Sequence, residues 1–159
     1  MAKKAKKASK ARVKRTVRRA RPKQAAASPI EAVAKKIVRA TKQPDFPFTT
    51  IYTADCSSEE STGAAVRGHA GLEEKLKGWD QMQMGTKWKE RNVWTGKNTV
   101  CIEWEADVQL RDGRLVKLRE VAVHHIKDGK IQAERFYYNP AAFAPPAQAA
   151  VAKPEITPI

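Results

Sequence analysis

Acidic residues alternate along one stretch of this chain: Glu103, Glu105 and Asp107 are each two positions from the next. In an extended strand that spacing puts all three on one face. Crowded carboxylates raise one another's pKa and a neighbouring imidazolium lowers it, so such a set can supply a general acid or base. Glu120, His124 and Glu134 follow further along the chain. His124 and His125 are adjacent, so in a strand they face opposite ways and cannot chelate together. The two cysteines, Cys56 and Cys101, are too few for a disulfide framework or a zinc site. No glycine-rich phosphate loop, nucleophile elbow or metal-ligand spacing occurs, so neither a metal nor a cofactor is expected. The chemistry left open is cofactor-independent proton transfer.

The elements that must position these groups fall in two blocks. Ser28-Pro29 opens a helix, with a serine cap and proline in its first turn, and Ile30, Val33, Ile37 and Val38 recur at helical spacing. Pro44 and Pro47 end it. Phe46 to Tyr52 reads as one or two helical turns that finish at Asp55. A second helix is expected from about His69 to Gln83, with Leu72, Leu76, Trp79 and Met82 inward and Glu73, Glu74, Lys75 and Lys77 outward. Gly85 is placed as its C-terminal glycine. The period then changes to two. Strands are expected over Trp88–Trp94, Thr99–Leu110, Leu115–Ile126 and Ile131–Tyr138, joined by turns at Gly96-Lys97-Asn98, Asp112-Gly113 and Asp128-Gly129. Helices followed by four hairpin-linked strands mean an α+β fold with an antiparallel meander, occupying residues 28–140. Prolines among alanines mark 141–159 as a disordered tail.

The charge is unevenly distributed. Of the net charge of +14, twelve charges arise in the first 23 residues, where Lys3, Lys4, Lys6, Lys7, Lys10, Arg12, Lys14, Arg15, Arg18, Arg19, Arg21 and Lys23 occur with no acid. The remaining nineteen basic residues nearly balance all seventeen acids. Residues 1–27 lack apolar surface to offset chain entropy and are expected to be disordered. Twelve cations on a flexible segment bind polyanions by counterion release, without sequence preference. The tail has no aromatic residue, so stacking on single-stranded bases is not indicated. The chain has no apolar run long enough to span a membrane and no secretory apolar region, which predicts a cytoplasmic protein, nucleoid-associated if the tail engages DNA.

Three segments carry a family resemblance: "IYTADCSSEESTGAAVRGHAGLEEKL", "TVCIEWEADVQLRDGR" and "VAVHHIKDGKIQAERFYYNP". Their order and spacing across residues 50–140 resemble the SnoaL-like branch of the nuclear-transport-factor-2-like superfamily. The resemblance implies helices packed on a curved antiparallel sheet, a cone-shaped barrel with a pocket at its open end and a convex face that often pairs two protomers. Matched to the ketosteroid isomerase pattern, it turns Glu103, Glu105 and Asp107 into the cone, with Leu118, Glu120, Ala122, His124, Glu134, Phe136 and Tyr138. Val100, Ile102, Trp104, Val121, Val123 and Tyr137 then form an apolar convex face that suggests a homodimer. The ordinary rule for a one-sided sheet gives the inverse: the apolar stripe inside and the acids in solvent. Both assignments are open.

Glu60, from its distance to Asp55 and Gly68, resembles the proton-abstracting carboxylate of ketosteroid isomerase. The places of that enzyme's oxyanion donors fall near Lys36 or Ile37 and on Ala122, so ketosteroid isomerisation itself is not expected. On the first assignment Glu60, His124 and Glu103 are the candidate catalytic residues. Glu105, Asp107, Leu118, Glu120, Glu134, Phe136, Tyr138 and Trp79 line the pocket. Two functions follow. One is a small-molecule site with acid–base chemistry of isomerase, cyclase or hydrolase type. The other is a non-enzymatic dimer tethered to nucleic acid through residues 1–23.

Overall fold

The structure, a computed structural model, describes residues 28–145; the expected basic tail and residues 146–159 lie outside the described residues. Helix α1 (Pro29–Lys42) begins with a capping box. The Glu31 N–H donates to Ser28 Oγ at 3.4 Å, and the Ser28 N–H donates to Glu31 Oε2 at 3.0 Å. Its buried face is Ala34 and Ile37, with Ile30, Val33 and Val38 partly covered.

After a 3-10 turn at Phe48–Thr50 the chain enters strand β1 (Tyr52–Glu59) and then β2 (Ala65–Arg67). Helix α2 (Gly68–Met82) leads directly into β3 (Gln83–Thr95). A meander of β4 (Thr99–Leu110), β5 (Leu115–Lys127) and β6 (Lys130–Tyr138) completes one sheet in the order β2-β1-β6-β5-β4-β3. The sheet is mixed, because β1 runs parallel to β6 while every other pair is antiparallel. Asp128 and Gly129, with φ of 51° and 75°, form the primed turn that joins β5 to β6 without splaying them.

The structure corrects several expectations. Tyr52–Glu59 is a strand, where helical turns were expected up to Asp55. Its buried positions are Cys56 and Ser58, so no apolar alternation marks it. Gly85 lies inside β3, beside a register shift between Gln83 and Gly85, and does not terminate α2. The folded unit also runs past residue 140: Pro140–Phe143 forms a 3-10 turn whose Ala142 and Phe143 cover core residues.

Register decides which residues share the inner face. Trp104 stands opposite Glu120, Ile102 opposite Ala122 and Val100 opposite His124. On the other side of β5, Glu120 faces Tyr138, Ala122 faces Phe136 and His124 faces Glu134. Directly opposed residues project to the same side of a sheet. The inner face therefore combines the apolar stripe of β4 with the polar set of β5 and β6. Val100, Ile102 and Trp104, one alternative for the convex face, are instead almost completely buried against α1. Burying a large apolar side chain contributes about 1.5–3 kcal/mol, and a carboxylate in their place would lose that. A second apolar group, Ala106, Val108, Leu110, Val116 and Leu118, continues along the inner face toward the β4–β5 hairpin.

Candidate functional site

The polar residues of the inner face form one connected network. Glu134 of β6 is 2% exposed and accepts three hydrogen bonds or ion-pair contacts. Tyr52 Oη donates to Oε2 at 2.8 Å, Ser58 Oγ donates to Oε1 at 2.8 Å, and His124 Nδ1 lies 3.2 Å from Oε2. Lys75 Nζ donates to Ser58 Oγ at 2.6 Å, sits 2.5 Å from Glu60 Oε1 and lies 4.1 Å above the Phe136 ring. A continuous chain thus runs from Glu60, a quarter exposed, through Lys75, Ser58 and Glu134 to buried His124.

Each link has a local origin. Pairing of β1 beside β6 puts Ser58 opposite Glu134. Gly68, at φ 65°, turns the chain from β2 into α2, and a Cβ there would come within 3.4 Å of the Ala54 carbonyl. Leu72, Lys75 and Trp79 then follow at i, i+3 and i+7 on the face of α2 turned to the sheet. Leu76 and Met82, expected inward, are 40% and 38% exposed.

The electrostatics follow from burial and neighbours. Burial alone would raise the Glu134 carboxyl, but the hydrogen bond and charge of His124, the Lys75 ammonium and Ser58 outweigh it and hold it below its usual value. Burial, then the charge of Glu60 and that of Glu134, partly offset by Lys75, push Glu120 up to about 8. Burial and the adjacent Glu60 carboxylate push the Tyr138 hydroxyl up to about 12. Burial and Glu134 likewise raise Tyr52. Near neutrality the site holds an ionised Glu134 beside neutral donors on Glu120, Tyr138 and Tyr52.

The network opens on a groove of about 550 Å3 where β1 and β6 end, lined by Glu59, Glu60, Ser61, Phe136 and Tyr138 among others. Of the residues expected from sequence, Glu60, Glu120, His124, Glu134, Phe136 and Tyr138 are brought together here or directly beneath. Leu118 is core, and Trp79 packs on Trp88 with ring centroids 6.2 Å apart.

Glu103, Glu105 and Asp107 are on the opposite face of the sheet, which corrects their expected place inside the cone. Glu103 accepts from Asn92 at 2.6 Å, Glu105 lies 3.7 Å from Arg91 and 3.9 Å from Arg119, and Asp107 is 3.0 Å from Lys117. Cross-strand cations on a solvated face account for the acidic alternation. Tyr52 and Ser58 carry no sequence pattern that marks them as site residues, and Lys75, expected on the outward face of the second helix, instead turns toward Ser58, Glu60 and Phe136. The i, i+3, i+7 spacing of Leu72, Lys75 and Trp79 was the one local signal for Lys75. Among the described residues no group of three or more His, Cys, Asp or Glu could hold a metal ion, and no helix is long and apolar enough to cross a membrane.

The sequence matches the family model of the SnoaL-like domain over residues 35–134. The chain belongs to the SnoaL-like domain family. No curated protein matches the sequence. Among solved structures, this SnoaL-like domain is similar to a protein from Mesorhizobium loti assigned as a SnoaL-like polyketide cyclase, with 25% identity, 69% of this chain and 98% of that chain covered, and a TM-score of 0.59. A nuclear-transport-factor-2-like protein of unknown function from Burkholderia pseudomallei shares the fold at 12% identity, 71% and 92% coverage and a TM-score of 0.65. A protein from Jannaschia assigned as a SnoaL-like polyketide cyclase does so at 16% identity, 76% and 99% coverage and a TM-score of 0.64.

Proposed function

We propose that this SnoaL-like domain binds a small, partly apolar carbonyl compound in the groove and moves a proton on it without a cofactor. The reading rests on one observation: the groove-lining carboxylate of Glu60 is tied through Lys75 and Ser58 to the buried Glu134–His124 pair, while neutral Glu120 and Tyr138 stand opposite each other beside it. Glu60 takes the proton from carbon. Lys75 compensates its charge before transfer, and the Glu120 and Tyr138 hydroxyls donate to the oxygen on which negative charge develops. Groups pushed apart in this way divide the roles of base and donor. The reaction class is enolisation, as isomerases and cyclases use. The test is deuterium exchange into a panel of cyclic ketones in D2O, followed by NMR. Exchange above buffer that falls at least tenfold in Glu60→Gln, and less in Glu120→Gln, supports the assignment. No exchange, or exchange indifferent to Glu60→Gln, overturns it.

A second reading rests on the twelve cations and no acids of the first 23 residues. They tether the protein to nucleic acid, in the cytoplasm and on the nucleoid. Duplex DNA affinity of the full chain should fall steeply with salt, and a chain starting at Ala27 should lose it. Equal binding by both refutes the tether. The same reading takes the protein as a homodimer through the outer sheet face, where register aligns Trp94, Cys101 and Val123, with Val121 and Tyr137 beside them. Trp94 and Tyr137 are each 53% exposed. Sedimentation of the full chain and of Tyr137→Glu decides it: dimer and monomer respectively are expected, and a monomeric parent refutes it.

A further inference from the structure

We infer that the groove takes a carbonyl compound that carries a carboxylate, an oxo acid, and that Arg135 is the residue that selects it. The inference rests on the reading of the domain as a small-molecule binder and names the substrate class. The groove lies where the sheet loses a strand. Strand β1 pairs with β6 as far as Glu59 beside Arg135. It then turns away toward β2 through a tight loop, in which the Glu60 N–H donates to the Ala64 carbonyl at 2.8 Å. Beyond that point no strand among the described residues covers this edge of β6. Side chains of both faces therefore border one opening: Phe136 and Tyr138 from the inner face, Arg135 from the outer.

Arg135 is held loosely. Its Nε donates to Glu59 Oε2 at 3.2 Å, the one side-chain bond it makes among the described residues, and the two side chains are 57% and 47% exposed. An ion pair this exposed contributes little, so Glu59 gives way at low cost. A guanidinium presents a planar fork that a carboxylate fills with two parallel hydrogen bonds, a geometry Glu59 does not reach here. Lys75 already balances Glu60, so the opening turns cationic once Glu59 swings into solvent. Ser61 Oγ, also in the groove wall, has no hydrogen-bond partner among the described residues and would be satisfied by a bound oxygen. Arg135 and Tyr138 are three residues apart, about 10 Å along the strand. A ring between carbonyl and carboxylate spans that separation, with the carboxylate on Arg135 and the carbonyl oxygen at the hydroxyls of Tyr138 and Glu120.

NMR titration of the full chain, Arg135→Gln and Glu59→Gln with 4-oxocyclohexanecarboxylate and with its methyl ester tests this. The parent should bind the acid at least fivefold tighter than the ester. That preference should vanish in Arg135→Gln and grow severalfold in Glu59→Gln, which leaves the guanidinium free. Equal affinity of the parent for acid and ester, no binding of either, or a preference that survives Arg135→Gln overturns it. The last would put the acid on the cations of the first 23 residues instead. Ketone exchange that depends on Glu60 while acid and ester bind alike would sink this inference and leave the proton-transfer reading standing. Arg135-dependent binding of the acid without exchange would do the reverse.

Discussion

The ammonium of Lys75 stands 2.5 Å from the carboxylate of Glu60 and donates to Ser58 Oγ at 2.6 Å, which makes one helical lysine the junction between groove and interior. Lys75→Met leaves Glu60, Glu120 and Glu134 without that shared counter-charge. The expected loss is on the order of 2 kcal/mol in urea denaturation. It is smaller than for a fully buried pair because both side chains keep about a quarter of their exposure. Lys75→Arg should recover part of it, and a Lys75→Met protein as stable as the parent would contradict the junction.

Glu120 gives the domain a stability that depends on pH in an unusual direction for a carboxylate. Its pKa rises from 4.5 to about 8 on folding, so between those values the folded state holds the proton more tightly than the unfolded chain. The Glu120 contribution is full below pH 4.5 and is lost as pH rises toward 8. The slope is at most about 1.4 kcal/mol per unit. Glu120→Gln should flatten that slope, so the variant gains on the parent between pH 6 and 8. Parallel melting curves across this range would count against a buried, neutral Glu120.

Tyr52 donates to Glu134 at 2.8 Å from a strand that shows no apolar alternation. Tyr52→Phe keeps the ring and removes one of the groups held on the carboxylate. A hydrogen bond to a charged acceptor is worth about 1.5–3 kcal/mol, and a loss of that order is expected by chemical denaturation. Ser58→Ala removes a different donor and also the Lys75 contact, so its cost should be at least as large.

Glu105 and Asp107 on the outer face predict the opposite outcome. Both are at least a third exposed and paired with Arg91, Arg119 or Lys117. Glu105→Gln and Asp107→Asn should each change stability by less than about 1 kcal/mol and leave ketone exchange unaltered. A large loss of exchange in either would return the acidic row of β4 to the site.

Much of this fold is written locally. Ser28, Pro29 and Glu31 mark the start of α1, and Asp112-Gly113 and Asp128-Gly129 mark the hairpins. The alternation over Thr99–Leu110 coincides with β4 residue for residue. Glu60, Glu120, His124 and Glu134 could be named because they lie at chain positions the family resemblance covers. Neither assignment of the sheet faces was complete. The inner face takes the apolar stripe of β4 from one and the polar set of β5 and β6 from the other.

Period two determines parity within a strand, but the parity of one strand against the next depends on how the hairpin closes. Trp104 opposite Glu120 is a fact of register that tertiary pairing alone decided. The same holds for Ser58 beside Glu134, 76 residues apart, where two strands pair in parallel with no turn to announce it. The sequence by itself determined the two helices and the four-stranded meander, because backbone preferences and turns act over a few residues, but not β1 and β2, which form by pairing with distant or neighbouring strands. Only the tertiary structure decided which carboxylates share a dry interior with Lys75 and which stand in water beside arginines, because burial and charge pairing act across elements that the chain order keeps apart.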